Sequence, residues 1–62
     1  QEYANTYASM KPKQAAALME KMTDDLKLVA KILENMAVDA RAKILDAMDP
    51  EVAARLTKLM EP

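Results

Sequence analysis

Residues 48–60 read MDPEVAARLTKLM, and they hold the clearest helix-start signal in the chain. Asp49 is suited to cap a helix, Pro50 to take its first position, and Glu51 to face the positive end of the helix dipole. The stretch closes on a methionine, in the pattern Ala-x-(Leu/Ile)-x-x-x-Met. We therefore expect a helix from about 50 to 60 that forms one unit of a repeat.

The same pattern recurs along the chain. Methionines stand at positions 10, 22, 36, 48 and 60, and three of the four spacings between them are twelve residues. The interval from Met22 to Met36 is fourteen residues, and we expect its two extra residues to lengthen the first half of a helix. Short repeats are typical of stacked architectures, in which each unit buries its apolar face against its neighbours.

The composition indicates helices. The chain has 62 residues, of which 52% are hydrophobic, and it has no glycine, phenylalanine or tryptophan. Few residues are β-branched. The absence of glycine and the scarcity of β-branched residues both favour helix over strand. A chain of this length buries only about 60% of its unfolded surface. Its core must therefore be tightly packed, or be completed by contact with another protein surface. We expect an all-α fold of four to five short helices in a compact, right-angled superhelical stack.

We place the helix boundaries from caps, prolines and apolar spacing. The expected helices run at about 12–21, 24–35, 38–47 and 50–60. Thr23 is expected to cap the second helix, whereas Ala37 is a poor cap for the third, which leaves a continuous helix through Met36 as an alternative. Pro12 and Pro50 argue against a coiled coil. The expected buried positions are Ala15, Leu18, Met19, Met22, Leu26, Leu28, Val29, Ile32, Leu33, Met36, Val38, Ile44, Leu45, Met48, Val52, Ala53, Leu56, Leu59 and Met60.

The N-terminal ten residues are expected to form a segment separate from the repeat domain. Tyr3, Tyr7 and Met10 fall on one helical face. We interpret residues 1–10 as a helical lead-in, the end of an upstream helix or coiled coil, and residues 11–62 as the repeat domain; a frayed terminus is the alternative. Because the chain begins with glutamine, we expect it to be part of a longer protein.

The residue types argue against catalysis. Cysteine and histidine are absent, no glycine-rich loop is present, and nine basic and ten acidic residues give a net charge of −1, which is not typical of a nucleic-acid binder. We expect no enzyme activity and no cofactor. A hard cation could use the carboxylates of Asp24, Asp25, Asp49 and Glu51, but acids in first helical turns are also expected from the helix dipole alone.

The methionines and lysines each allow two interpretations. Methionine fills irregular gaps in small cores and also lines adaptable binding surfaces. We expect Met22, Met36 and Met48 to be the more buried, with Met10 and Met60 near the open ends of the stack. Four lysines are either a solvated surface or a basic face toward acidic lipid or an acidic partner: Lys11, Lys13, Lys27 and Lys31.

The segments MKPKQAAALM, residues 10–19, and MDPEVAARLT, residues 48–57, resemble the short-helix repeats of the MgtE N-terminal domain family, a superhelical fold also seen in the flagellar rotor protein FliG. The methionine-closed version looks most like the C-terminal domain of MotE-like, YlxF-like or FlbB-like flagellar proteins. This resemblance implies a noncatalytic scaffold or chaperone domain of a bacterial flagellar motility protein. It would be held at the inner membrane by a segment outside this chain, with the periplasmic side favoured.

The implied partner is a flagellar motor or collar component, with homo-oligomers through an upstream coiled coil and no direct membrane insertion by this fragment. The expected partner-binding side chains are Tyr3, Tyr7, Met10, Leu56, Leu59 and Met60. The alternative is the cytosolic magnesium-sensing N domain of an MgtE-type magnesium transporter. In that case the carboxylates of Asp24, Asp25, Asp49 and Glu51 would be ligands of the ion. A generic helical module without a dedicated partner is the third interpretation.

Overall fold

A computed structural model of the chain describes residues 2–60, and all of its regular elements there are helical. Five α-helices follow one another, with one 3₁₀ turn at Thr23–Asp25. The α-helices are α1 (Glu2–Ala8), α2 (Pro12–Glu20), α3 (Leu26–Glu34), α4 (Val38–Asp46) and α5 (Pro50–Leu59). The prediction of an all-α fold is confirmed.

Helix α5 begins as its sequence predicts. The Asp49 side chain accepts a hydrogen bond from the Glu51 backbone N–H at 3.1 Å, and Pro50 takes the first helical position. Pro12 has the same place in α2. Ala37 provides no side-chain cap, yet α4 starts at the next residue, so the alternative of one continuous helix through Met36 is wrong.

The start of α3 differs from the prediction. The helix begins at Leu26 rather than Asp24, and its cap is Asp25, whose side chain accepts from the Leu28 N–H at 3.4 Å. Thr23 caps nothing and instead opens the 3₁₀ turn. That turn takes up the extra length between Met22 and Met36, so α3 has nine residues, as do α2 and α4.

The repeated methionines share one backbone role. Each donates its N–H to the carbonyl three residues before it, a 3₁₀-type closure that tightens the last turn of a helix. These bonds join Met10 to Tyr7, Met22 to Met19, Met36 to Leu33, Met48 to Leu45 and Met60 to Thr57, at 3.0–3.2 Å. No residue in the described range has a positive φ, so the chain turns at these points without needing glycine.

The core forms where helices two apart in the chain meet. Helix α2 packs against α4 and α3 against α5, while α1 contacts both α2 and α3. The result is a compact body with extents of 23 × 23 × 20 Å. The buried residues, all apolar, are Ala4, Ala15, Ala16, Met19, Val29, Ala30, Ile32, Leu33, Met36, Ile44, Met48 and Leu56.

Three expected core residues are largely exposed instead. Leu18 is 48% exposed, Val38 69% and Leu59 42%. The buried face of α2 consists of Ala15, Ala16 and Met19. The two alanines are small and let α4 pack closely against this face. Val38 lies at the very start of α4.

Among the repeated methionines, Met36 and Met48 are buried as expected. Met22 is only half-buried, so the expectation that it belongs with the buried members is wrong. Met10 and Met60 are also half-buried and pack against the edge of the core, in keeping with places near the ends of the stack.

Candidate functional site: exposed apolar side chains and two grooves

The N-terminal candidate residues do not share one exposed surface. Tyr3 is 65% exposed, whereas Tyr7 and Met10 are half-buried against the core. The Tyr7 hydroxyl donates to the Met22 sulfur at 3.9 Å, which holds the end of α1 against the turn after α2. Of the three, Tyr3 therefore offers the most surface to a partner.

The C-terminal candidates also divide by burial. Leu56 is fully buried and belongs to the core, so it offers no surface. Leu59 is 42% exposed, and Met60 is half-buried. The apolar surface at this end therefore comes mainly from Leu59.

One groove lies between the start of α2 and the face of α4. It has a volume of about 210 Å³. The Met10 side chain lines it, together with an acid and a base one turn apart on α4, Asp39 and Lys43. An acid and a base four residues apart on a helix commonly pair. The charged atoms of these two are not within 4 Å of each other, and Asp39 instead accepts from the Ala40 N–H at 3.0 Å.

A second groove, here called the α3–α5 groove, has a volume of about 230 Å³. Its lining residues are Lys27, Ala30, Lys31, Glu34 and Leu59. Sequence reasoning identified Leu59 and the two lysines separately but did not bring them together. The 4-residue spacing of the two lysines on one helix face is visible in the sequence, but their place beside Leu59 depends on packing between α3 and α5.

The four acids proposed as cation ligands lie at the starts of two different helices, α3 and α5. Asp24 and Asp25 precede α3, while Asp49 and Glu51 begin α5, and two of the four already cap helices. Glu51 also pairs with Arg55 at 3.2 Å, one turn further along the exposed face of α5. Within residues 2–60 no three acidic side chains come together in a way that could hold a metal ion.

The fold and its surface define the class of protein: a small helical-repeat module with shallow grooves between short helices and no buried polar side chain in the described residues. No helix among those residues is both long and apolar enough to cross a membrane.

Comparison with protein-family models matches residues 1–62 to the MgtE intracellular N domain. The chain belongs to this family. No curated protein and no solved structure matches it. The match agrees with the MgtE part of the sequence resemblance. It adds nothing for the flagellar part, which stays a prediction.

Proposed function

We propose that this chain is a noncatalytic regulatory domain of an MgtE-type magnesium transporter, acting by docking against neighbouring protein surfaces. The observation that carries the proposal is the family match over the whole chain. The chemistry of the described residues is compatible with it, because their buried side chains are all apolar. Such a domain works through its surface.

The surface carboxylates suggest how magnesium would act. Asp24 and Asp25 form one exposed pair, and Asp49 and Glu51 form another. Magnesium takes six oxygen ligands and is commonly held by one or two carboxylates together with water or a second molecule. Each pair alone would therefore bind the ion weakly. A tighter site would form only when another protein surface supplies further oxygens, so that magnesium strengthens docking.

A magnesium titration followed by amide NMR tests the ion-binding part. We expect millimolar-range shifts confined to the two acidic helix starts. The Asp24→Asn, Asp25→Asn double variant should lose the shifts at the start of α3 while keeping the cap, since asparagine also caps helices. The control is Asp46→Asn, an exposed acid at the end of α4. Shifts spread evenly over the surface, or equal shifts in a sodium titration at matched ionic strength, would contradict magnesium sensing.

The docking part of the proposal rests on exposed apolar side chains, chiefly Tyr3 and Leu59. It does not depend on which larger protein carries the domain, and it is shared with the flagellar scaffold interpretation. Light scattering at high protein concentration, with Tyr3→Ala and Leu59→Ala as variants, tests self-association through these side chains. A strict monomer that shows no change in either variant would count against docking between copies.

A further inference from the structure

The α3–α5 groove combines an apolar surface with two lysines on its rim. Ala30, 4% exposed, has a small side chain that leaves space beside α3, and Leu59, 42% exposed, lines the same space from the end of α5. An apolar side chain inserted there would remove the exposed part of Leu59 from water, which is favourable in proportion to the apolar area covered.

Two lysines stand on the rim of this groove. Lys27 and Lys31 are one turn apart on the same face of α3, and both are exposed. Among residues 2–60 neither lysine lies within 4 Å of a carboxylate. Glu34 lines the groove one turn further along α3. The rim is therefore positive along most of its length and negative at one end, which gives a bound segment a preferred direction.

The size of the groove argues for a side chain rather than a small molecule as its occupant. Its volume of about 230 Å³ lies below the range of roughly 300–1,000 Å³ that is usual for pockets holding small ligands. A groove of this size accepts one or two side chains from a segment lying across it. Grooves between helices commonly bind an amphipathic helix in this way, through anchors spaced by whole turns.

The shape and charge pattern also distinguish a helix from a lipid surface. An anionic bilayer would meet Lys27 and Lys31 favourably, but it would also meet the carboxylate of Glu34, and a flat surface does not fill a concave space. A helix with two acids one turn apart matches the spacing of the lysines. Its apolar side chain fills the groove.

We propose that the α3–α5 groove binds an acidic amphipathic helix of a partner protein. An apolar side chain of that helix packs on Ala30 and Leu59, and two of its carboxylates, one turn apart, face Lys27 and Lys31. This inference rests on the docking role proposed above and is independent of magnesium.

The test uses a synthetic peptide as the probe. An alanine-based peptide of about 16 residues, long enough to form helix alone, carries two glutamates four positions apart and a leucine three positions after the first. Binding to the full chain is measured with EDTA present, by fluorescence anisotropy of the labelled peptide and by amide NMR. We expect shifts centred on Ala30, Lys31 and Leu59, and binding that weakens as salt is raised.

Charge reversal in the groove should weaken binding specifically. We expect Lys27→Glu with Lys31→Glu to lower the affinity about fivefold, the scale of two exposed ion pairs. Leu59→Ala should also weaken it. The matched control is Lys11→Glu with Lys13→Glu, which makes the same charge change on exposed positions outside the groove and should leave affinity nearly unchanged. Thermal melting of each variant verifies folding.

Several outcomes would overturn the proposal. These are no binding up to millimolar peptide, equal binding of a peptide with lysines in place of the glutamates, and equal weakening by the control pair. Binding of phosphatidylglycerol vesicles that depends on Lys27 and Lys31, without peptide binding, would assign the groove to lipid instead. Because EDTA is present, failure here leaves the magnesium proposal standing, and failure of the magnesium titration leaves this one standing.

Discussion

The Glu20 carboxylate accepts a hydrogen bond from the backbone N–H of Asp49, 29 positions further along the chain. Glu20 is the last residue of α2, and Asp49 is the capping residue of α5. The bond therefore joins the end of one helix to the start of another, and it satisfies a backbone donor just before α5. Asp49 in turn accepts from Glu51 with its side chain. One carboxylate positions the residue that caps the last helix.

Replacing Glu20 with alanine should destabilise the domain by about 1 kcal/mol. A hydrogen bond to a charged acceptor contributes more than that when buried, but Glu20 is half-exposed and the freed N–H can meet water. For a domain of this size the loss corresponds to roughly 4–8 °C in melting temperature. The matched control is Glu34→Ala at the end of α3, where removing an acid from the negative end of the helix dipole should be neutral or slightly stabilising. Equal losses in both variants would contradict a specific role for Glu20.

Lysine at position 36 should unfold the domain. Met36 is 7% exposed, and burying a charge there costs several kcal/mol, against a total stability of about 3–5 kcal/mol for a core of this size. Met60 is half-buried at the end of α5, so Met60→Lys can extend its charge into water and should still fold. Far-UV circular dichroism with thermal melting separates the two. A cooperative melt in Met36→Lys would show that this position can rearrange to reach solvent.

Two leucine-to-alanine changes should differ sharply. Leu56 is fully buried, and Leu56→Ala removes about 2–5 kcal/mol through lost burial and the cavity left behind. Leu18 is 48% exposed, so Leu18→Ala should change stability by no more than about 0.5 kcal/mol. Both positions are helical, so the difference reports burial rather than helix propensity. Urea denaturation measures both, and a large loss in Leu18→Ala would indicate that α2 turns its other face to the core.

A capping side chain added before α4 should stabilise the protein. Ala37 has the extended backbone of a capping position, φ −60° and ψ 148°, but no side-chain acceptor. Ala37→Asp should add about 1 kcal/mol by accepting from a first-turn N–H and by facing the positive end of the helix. The control is Ala47→Asp at the other end of α4, where a negative charge meets the negative end of the dipole and should not help. Chemical denaturation of both variants measures the difference.

Local signals in the sequence predict the helix starts and the repeat. Pro12, Pro50 and Asp49 act within one turn, so their effect is visible in the sequence alone. The methionines mark the turns because each follows the end of its own helix by one or two residues. The predicted start of α3 is wrong because Thr23 and Asp25 can both cap a helix, and the 3₁₀ turn makes Asp25 the cap.

The grooves and the exposed leucines depend on packing between distant helices. Ala15 and Ala16 are both buried, although they point about 100° apart, so apolar spacing in an alanine-rich helix does not select one face. Which of Leu18 and Met19 turns inward is decided by packing against α4, which begins 19 residues after Met19. The α3–α5 groove likewise exists only once Leu59 lies beside Ala30. Such relationships are tertiary and leave no local pattern.

The turns without positive φ have a consequence for the unfolded chain. Because no described residue has a positive φ, no described turn needs glycine; the sequence contains none, while it has three prolines. Glycine gives an unfolded chain the most conformations to lose on folding, and proline the fewest. The unfolded ensemble is therefore narrower than that of a chain with ordinary glycine turns, and less conformational entropy is lost on folding. A core of twelve buried side chains among residues 2–60, four of them alanine, can then hold the fold together.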